Sequence, residues 1–259
     1  MGILGELKRL GKTFAPNTYW NLQRRYHRAL LRPVERAFLA RHGTQVIGGP
    51  FAGMRYIGEA TGSRLLPKLC GSYEVELRPA LEIVFTQSYQ RIVDVGCAEG
   101  YYAVGLSRRF PGTPVSAFDT DPAAHRLCAE LCRLNGASEK VTVRGACTPA
   151  TLREITGDRV LLICDCEGYE FELLDNDLLG DMPHWDLLVE LHDDSPGRER
   201  AASLRRRLER AHAVEVIPTA LRDPADFPVT HFLPRRWRSR ALDEGRPVRQ
   251  WWLWAKASR

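Results

Sequence analysis

Two short acidic segments carry the residue types with the clearest chemistry. The first, Ile92-Val93-Asp94-Val95-Gly96-Cys97-Ala98-Glu99-Gly100-Tyr101-Tyr102, reads as a buried strand, a turn of small residues and the start of a helix. Glycines at such a turn let a ligand approach the backbone. The turn lacks the G-x-G-x-x-G spacing that seats a pyrophosphate on a helix N-terminus, and its Asp94 and Glu99 would repel phosphate. A cationic ligand, or one rich in hydroxyl and amino groups, suits it better. Asp119, 23 positions beyond Gly96, ends the next apolar run, where a carboxylate can accept hydrogen bonds from both hydroxyls of a ribose. Asp121, before Pro122, reads as a helix N-cap and leaves Asp119 free.

These residues need a scaffold, and the chain after Gln90 supplies the pattern of one. Short apolar runs at 92–95, 115–119, 141–144, 160–164, 186–191, 213–217 and 250–255 alternate with amphipathic stretches near 100–109, 121–135, 149–155, 168–174 and 198–211. This alternation predicts an α/β fold built from βα units around a largely parallel sheet. Before it, residues 19–41 show helical spacing broken by Pro33, which predicts two short helices. Residues 45–58 read as a hairpin and 64–88 as helical. The predicted organisation is a cap region at 1–88 and a ligand-binding domain at 89–259.

Composition narrows the function classes. The 259 residues are 44% hydrophobic and 27% charged, which excludes a disordered chain and leaves enough apolar surface for a sizeable core. No apolar run is long enough to cross a membrane and no signal-peptide layout opens the chain, so a soluble, cytoplasmic protein is expected. The seven cysteines match neither a zinc site nor a disulfide framework and are expected to be reduced and buried. The net charge of +5 is uneven: residues 1–43 carry nine Lys/Arg against Glu6 and Glu35, and residues 235–259 carry eight against Asp243 and Glu244, so the centre is acidic. Basic ends can attract nucleic acid or anionic lipid. With aromatics sparse around them, they are read as solvated helix faces, and a nucleic-acid partner is not expected.

The residues Asp94 to Gly100 with Asp119 resemble the glycine motif and ribose acid of class I S-adenosylmethionine-dependent methyltransferases. The run Asp165-Cys166-Glu167-Gly168-Tyr169-Glu170, followed by Leu173-Leu174 and by Val189-Glu190-Leu191-His192, resembles the FkbM-type family within them. The resemblance implies a Rossmann-like seven-stranded sheet, mostly parallel with an antiparallel last strand. It implies S-adenosylmethionine as cofactor, bound by Asp94, Gly96, Cys97, Glu99, Tyr101, Asp119, Thr120, Ala146, Cys147 and Asp165. Gly96 and Glu99 would lie against its methionine part, Asp119 against its ribose and Ala146 or Cys147 against its adenine. Cys97-Ala98 departs from the family, where a third glycine often stands. The implied reaction is methyl transfer, most simply to an oxygen of a small molecule such as a natural-product intermediate or sugar.

A hydroxyl or amine acceptor must lose a proton. Asp165, Glu167, Glu190, His192 and Asp193 cluster at two predicted strand ends, where that chemistry belongs. Either His192 or His231 acts as general base, or Asp165, Glu190 and His192 bind Mg2+ or Mn2+ that lowers the acceptor's pKa. Tyr73 and Glu76, in the segment before the domain, are candidates for cofactor or acceptor contact. An RNA or protein methyltransferase docking through the basic ends, and a non-catalytic S-adenosylmethionine-binding protein, are the alternatives. The acceptor and any homo-oligomeric state stay open.

Overall fold

β-Branched and aliphatic residues dominate the short runs after Gln90, with tryptophan in the last, and in the computed structural model, which describes residues 31–193, 195, 197–246 and 250–258, every one of those runs is a strand. The strands are β1 (Arg91–Val95), β2 (Val115–Phe118), β3 (Val141–Arg144), β4 (Val160–Cys164), β5 (Asp186–Leu191), β6 (His212–Pro218) and β7 (Trp251–Ala257). They form one sheet in the order β3-β2-β1-β4-β5-β7-β6, parallel except for β7, which runs antiparallel to both β5 and β6. The chain therefore has the Rossmann-like class I methyltransferase fold with an antiparallel last strand. β4 and β5 are buried along their whole length, as strands covered on both faces must be.

Helices α1 (residues 31–42), α2 (Leu65–Cys70), α3 (Arg78–Val84), α4 (Tyr101–Arg109), α5 (Pro122–Leu134), α6 (Pro149–Arg153), α7 (Glu170–Leu173), α8 (Asn176–Gly180), α9 (Glu199–Leu208) and α10 (Arg235–Leu242) cover the sheet. Asp121 caps α5 by accepting from the Ala123 amide at 2.8 Å, with Pro122 in the first turn. Two hydrophobic clusters fill the faces. One joins Phe38, Phe51, Tyr56, Leu69 and Leu77 of the N-terminal segment to α4, α5 and one face of the sheet; the other packs Val93, Leu162, Leu187 and Val189 under Leu173, Leu178 and Leu204.

The N-terminal segment departs from expectation. Helix runs through Pro33, and the first of the two short helices expected at 19–41 lies outside the described residues. Residues 45–58 form only a short antiparallel pairing, a bridge from Gln45 to Arg55 flanked by backbone bonds from Val46 to Met54 and from Tyr56 to Thr44, rather than two regular strands. The helix expected over 64–88 is cut by Gly71 in the left-handed region, where a Cβ would lie 2.1 Å from the Gly48 carbonyl carbon. α8 and α10 lie outside the stretches expected to be helical. No helix among the described residues is long and apolar enough to cross a membrane.

Candidate active site

The strand order reverses between β1 and β4, so a crevice opens at their carboxyl ends. Gly96 lies directly after β1 with φ +81°, and a Cβ there would sit 1.6 Å from the Asp165 carbonyl oxygen, so the chain after β4 requires glycine at this position. The Asp165 amide donates to the Val95 carbonyl at 2.9 Å, extending the β1–β4 ladder by one residue. This packing brings Asp94 and Asp165 to adjacent strand ends. Asp94 Oδ2 and Asp165 Oδ1 are both buried without a hydrogen-bond partner among the described residues. Burial, with neighbouring carboxylates adding to it, pushes Asp94 up to about 8. Burial and the Glu74 charge push Asp165 up to about 7, against the pull of His192 and Arg246.

Asp119 lies one residue beyond β2 and is partly exposed. Its Oδ2 accepts from the Ala98 amide and its Oδ1 from the Asp121 amide, both at 2.9 Å. A carboxylate has about four lone-pair sites, so two remain for a ligand's hydroxyls. Thr120 beside it and Ala146 after β3 are exposed, whereas Cys147 is buried in the second cluster. All seven cysteines are free thiols, and burial pushes Cys147 up to about 12. Cys97 is likewise buried.

Glu99 points away from the crevice and into the cap. It is fully buried and accepts from Tyr56 Oη at 2.6 Å, from the Thr61 amide at 3.0 Å and from Lys68 Nζ. Burial alone would raise its pKa, but the Lys68 charge and these donors outweigh burial and hold it below the usual carboxylate range. Tyr101 sits beside this pair, edge-on to Phe51 and to Tyr73, each with ring centroids 5.1 Å away.

At the ends of β4 and β5 four carboxylates surround one imidazole. His192 Nε2 lies 3.6 Å from Asp165 Oδ1, 3.6 Å from Glu167 Oε2 and 3.8 Å from Glu190 Oε2, and Nδ1 lies 3.6 Å from Glu170 Oε1. Burial lowers the His192 pKa, yet the surrounding carboxylates, Glu170 first, outweigh it and leave the imidazole above its ordinary value. Glu170 is fully buried; its Oε1 accepts the His192 amide at 2.7 Å and its Oε2 the Gly168 amide at 2.8 Å, so one side chain ties both loops. Glu167 itself has φ +53° and is exposed. Asp193 turns outward and accepts the Ser195 and Ala201 amides.

Glu190 carries a charge relay that links the cap to the last strands. Arg246 donates to Glu190, to Glu74 and, at 2.7 Å, to Glu244 Oε2. Glu74 also accepts from Tyr102 Oη, while Arg222 donates to Glu244 and, at 2.9 Å, to Glu76 Oε2. Tyr73, buried beside Arg246, faces the same cluster. Asp165, Glu190 and His192 each offer a ligand atom within 4.8 Å of the others, but Glu190 already carries the Arg246 guanidinium. His231, expected near the last strands as an alternative base, is instead exposed at the end of a 3-10 turn, and its imidazole makes no hydrogen bond or ion pair to a described residue. The intervening α10 carries the chain away from His231 before it returns to the sheet.

Glu74, Glu170, Arg222, Glu244 and Arg246 were not singled out from sequence. Only Glu170 had a signal, as the last acid of the Asp-x-Glu-Gly-x-Glu run.

No protein-family model and no curated protein matches the chain. Among solved structures, the chain is similar to precorrin-6y C5,15-methyltransferase from Geobacter metallireducens, with 15% identity over 70% of this chain and 89% of that one and a TM-score of 0.47. It is similar to precorrin 8w decarboxylase from Methanobacterium thermoautotrophicum, with 18% identity over 70% and 89% of the two chains and a TM-score of 0.46. A human methyltransferase 10 domain containing protein follows at 12% identity, 72% and 82% coverage and a TM-score of 0.45. With each score below 0.5, the strand order of the chain itself carries the fold.

Proposed function

We propose that the chain is an S-adenosylmethionine-dependent methyltransferase of the FkbM type that methylates an oxygen of a small-molecule acceptor, with His192 as general base. The observation that carries this reading is the pair of buried carboxylate oxygens without a hydrogen bond, Asp94 Oδ2 and Asp165 Oδ1, at the switch point of the sheet. Two such oxygens call for a cationic ligand with N–H donors, and the cofactor's ammonium and sulfonium supply positive charge. Asp94 and Asp165 would hold its amino-acid end, and Asp119 its ribose. When bound, the cofactor supplies an electrophilic methyl group.

The chain's own residues do the rest. The walls of the crevice orient an acceptor hydroxyl, and holding reactants in line removes much of the barrier. His192 takes the hydroxyl proton on Nε2 as the oxygen attacks. The carboxylates around it stabilise the imidazolium that results, and Glu170 fixes the backbone that presents the ring. Arg246 ties Glu190 and Glu74 down and offsets part of the negative charge.

Titration calorimetry with S-adenosylhomocysteine tests the site. Micromolar binding is expected, weakened at least tenfold in Asp119→Ala; no binding to the unaltered protein would sink the reading. Turnover in EDTA separates His192 acting as a base from the alternative in which Asp165, Glu190 and His192 hold Mg2+ or Mn2+. Because Arg246 already supplies the positive charge at Glu190, unchanged turnover is expected.

A second expectation concerns protons. Asp94 and Asp165 are raised in the free protein, and a cation favours their ionised forms. Binding at pH 6.5 should therefore release protons, and affinity should rise with pH until about 8. Titrations in buffers of different ionisation enthalpy read this directly: identical heats would show that neither acid meets the ligand.

A further inference from the structure

Two described stretches of the basic ends, α1 and α10, far apart in sequence, meet in the fold. Phe38 and His42 of α1 pack on Phe232, with ring centroids 6.2 and 5.5 Å away, and Phe232 stands three residues before α10. Together α1 and α10 carry Arg32, Arg36, Arg41, Arg235, Arg236, Arg238 and Arg240 against one acid, Glu35. The six arginines other than Arg238 are all exposed, and Arg41 lies 5.3 Å over the Phe232 ring. Beyond α10, Glu244 grips Arg222, and the turn Pro224–Asp226 packs against α10. The residue before Arg222 is Leu221, 96% exposed, whereas the other exposed large apolar side chains among the described residues reach only 39–45%.

Leu221 is not loose. Thr219 is bonded to the Gln250 carbonyl, and Arg222 is held by Glu76, Glu244 and the Ala220 carbonyl, so the loop presents the leucine from pinned shoulders. A rigidly presented leucine gains nothing in water; its loop, which also carries the exposed Asp223 and Asp226, packs through the Pro224–Asp226 turn on the arginine-bearing α10.

We infer that this face docks on an anionic phospholipid surface, with Leu221 entering the headgroup–acyl boundary and the arginines of α1 and α10 meeting lipid phosphates. Basic charge combined with an inserted apolar side chain is the physical basis of interfacial binding, and guanidinium groups match phosphate geometry. A nucleic acid is disfavoured because single strands bind on exposed aromatic platforms. Here the Phe232 ring is covered by Arg41 and the half-buried Trp237 by Arg240, 4.9 Å from its centroid.

The test is co-sedimentation of the full chain with vesicles of phosphatidylglycerol and phosphatidylcholine, against vesicles of phosphatidylcholine alone. Binding to the anionic vesicles is expected. It should fall at least fivefold in Leu221→Ser, and at least tenfold in Arg235→Glu/Arg236→Glu and in 0.5 M salt. All substituted side chains are exposed, so an unchanged melting temperature shows that the fold survives. Absence of binding to anionic vesicles would overturn the inference, as would binding unaffected by Leu221→Ser. An RNA oligonucleotide that binds more tightly than the vesicles and equally well to Leu221→Ser would also overturn it, assigning the face to nucleic acid.

Discussion

Replacing His192 by asparagine is expected to lower kcat by about 10^2–10^4-fold while leaving the affinity for S-adenosylhomocysteine within about threefold, the range that a positioned general base contributes. The two readouts separate because, of the three carboxylates proposed for the cofactor, only Asp165 stands beside His192 Nε2, at 3.6 Å, whereas Asp119 accepts the Ala98 and Asp121 amides and Asp94 makes no ion pair with the imidazole. The pH profile adds an independent check. The neutral imidazole is the form that accepts a proton, and its surroundings favour the charged form. Turnover in the unaltered protein should therefore rise with pH through a value above the ordinary imidazole range of about 6.5. In His192→Asn that limb should flatten. A variant that kept kcat within threefold and retained the limb would move the base to another group.

Glu170 sharpens this expectation. It touches His192 through the backbone amide at 2.7 Å and stands 3.6 Å from the ring nitrogen, so it positions the imidazole without reaching the acceptor. Its other oxygen, Oε2, accepts the Gly168 amide, so the turn that carries Asp165 and Glu167 is tied to the strand end that carries His192. The Asp-x-Glu-Gly-x-Glu run is thus one folded unit in which the last acid orders the first two.

What could be read from sequence follows the reach of local patterns. All seven strands were legible because each is a short apolar run, aliphatic in β1 to β6 and tryptophan-rich in β7, and the parallel order of β1 to β5 follows from the helices between them. The acids at the ends of β1, β2, β4 and β5 were legible for the same reason, since a strand's last residues face the crevice. The direction of Glu99 was not. A turn residue can face ligand or cap, and the choice is made by Tyr56, Thr61 and Lys68, which lie 31–43 residues away. The bridge from Glu74 to Arg246 spans 172 residues and has no periodic or motif signature. Residues 45–58 pair only briefly, Thr44 and Val46 against Met54 and Tyr56, because Gly49 in the connection closes against Gly71 so tightly that a Cβ would meet its carbonyl oxygen at 2.8 Å.

The same long-range contact that hid Glu99 gives the largest expected effect on stability. Lys68 and Glu99 are both buried, with side-chain exposures of 2% and 0%, and bond to one another. Lys68→Met keeps most of the aliphatic volume but leaves the carboxylate facing Tyr56 and Thr61 without its counter-charge. Breaking a buried pair from one side costs about 3–5 kcal/mol, whereas replacing both partners can be near neutral. Denaturant unfolding at pH 7 should show that loss in Lys68→Met and recover most of it in Lys68→Met/Glu99→Gln, whose one carbonyl oxygen can still accept from the Thr61 amide while its NH2 donates to the Tyr56 hydroxyl oxygen. The pH dependence has a definite sign. In the unaltered protein Glu99 is depressed, so its stabilisation is present above the ordinary glutamate pKa and is lost as pH falls through the lower folded value. In Lys68→Met the folded pKa is raised instead, so the penalty is absent below the ordinary value and grows as pH rises. The gap between the two proteins should therefore widen from acid toward neutral pH. A gap that did not change with pH would mean that the methionine disturbs packing and that the charge pair contributes little. Because Glu99 belongs to the glycine turn and Lys68 to the cap, the pair also sets how firmly the cap holds the residues between Asp94 and Tyr101. Lys68→Met should thus weaken S-adenosylhomocysteine binding even at a denaturant concentration where the fold is intact, and the double variant should restore it.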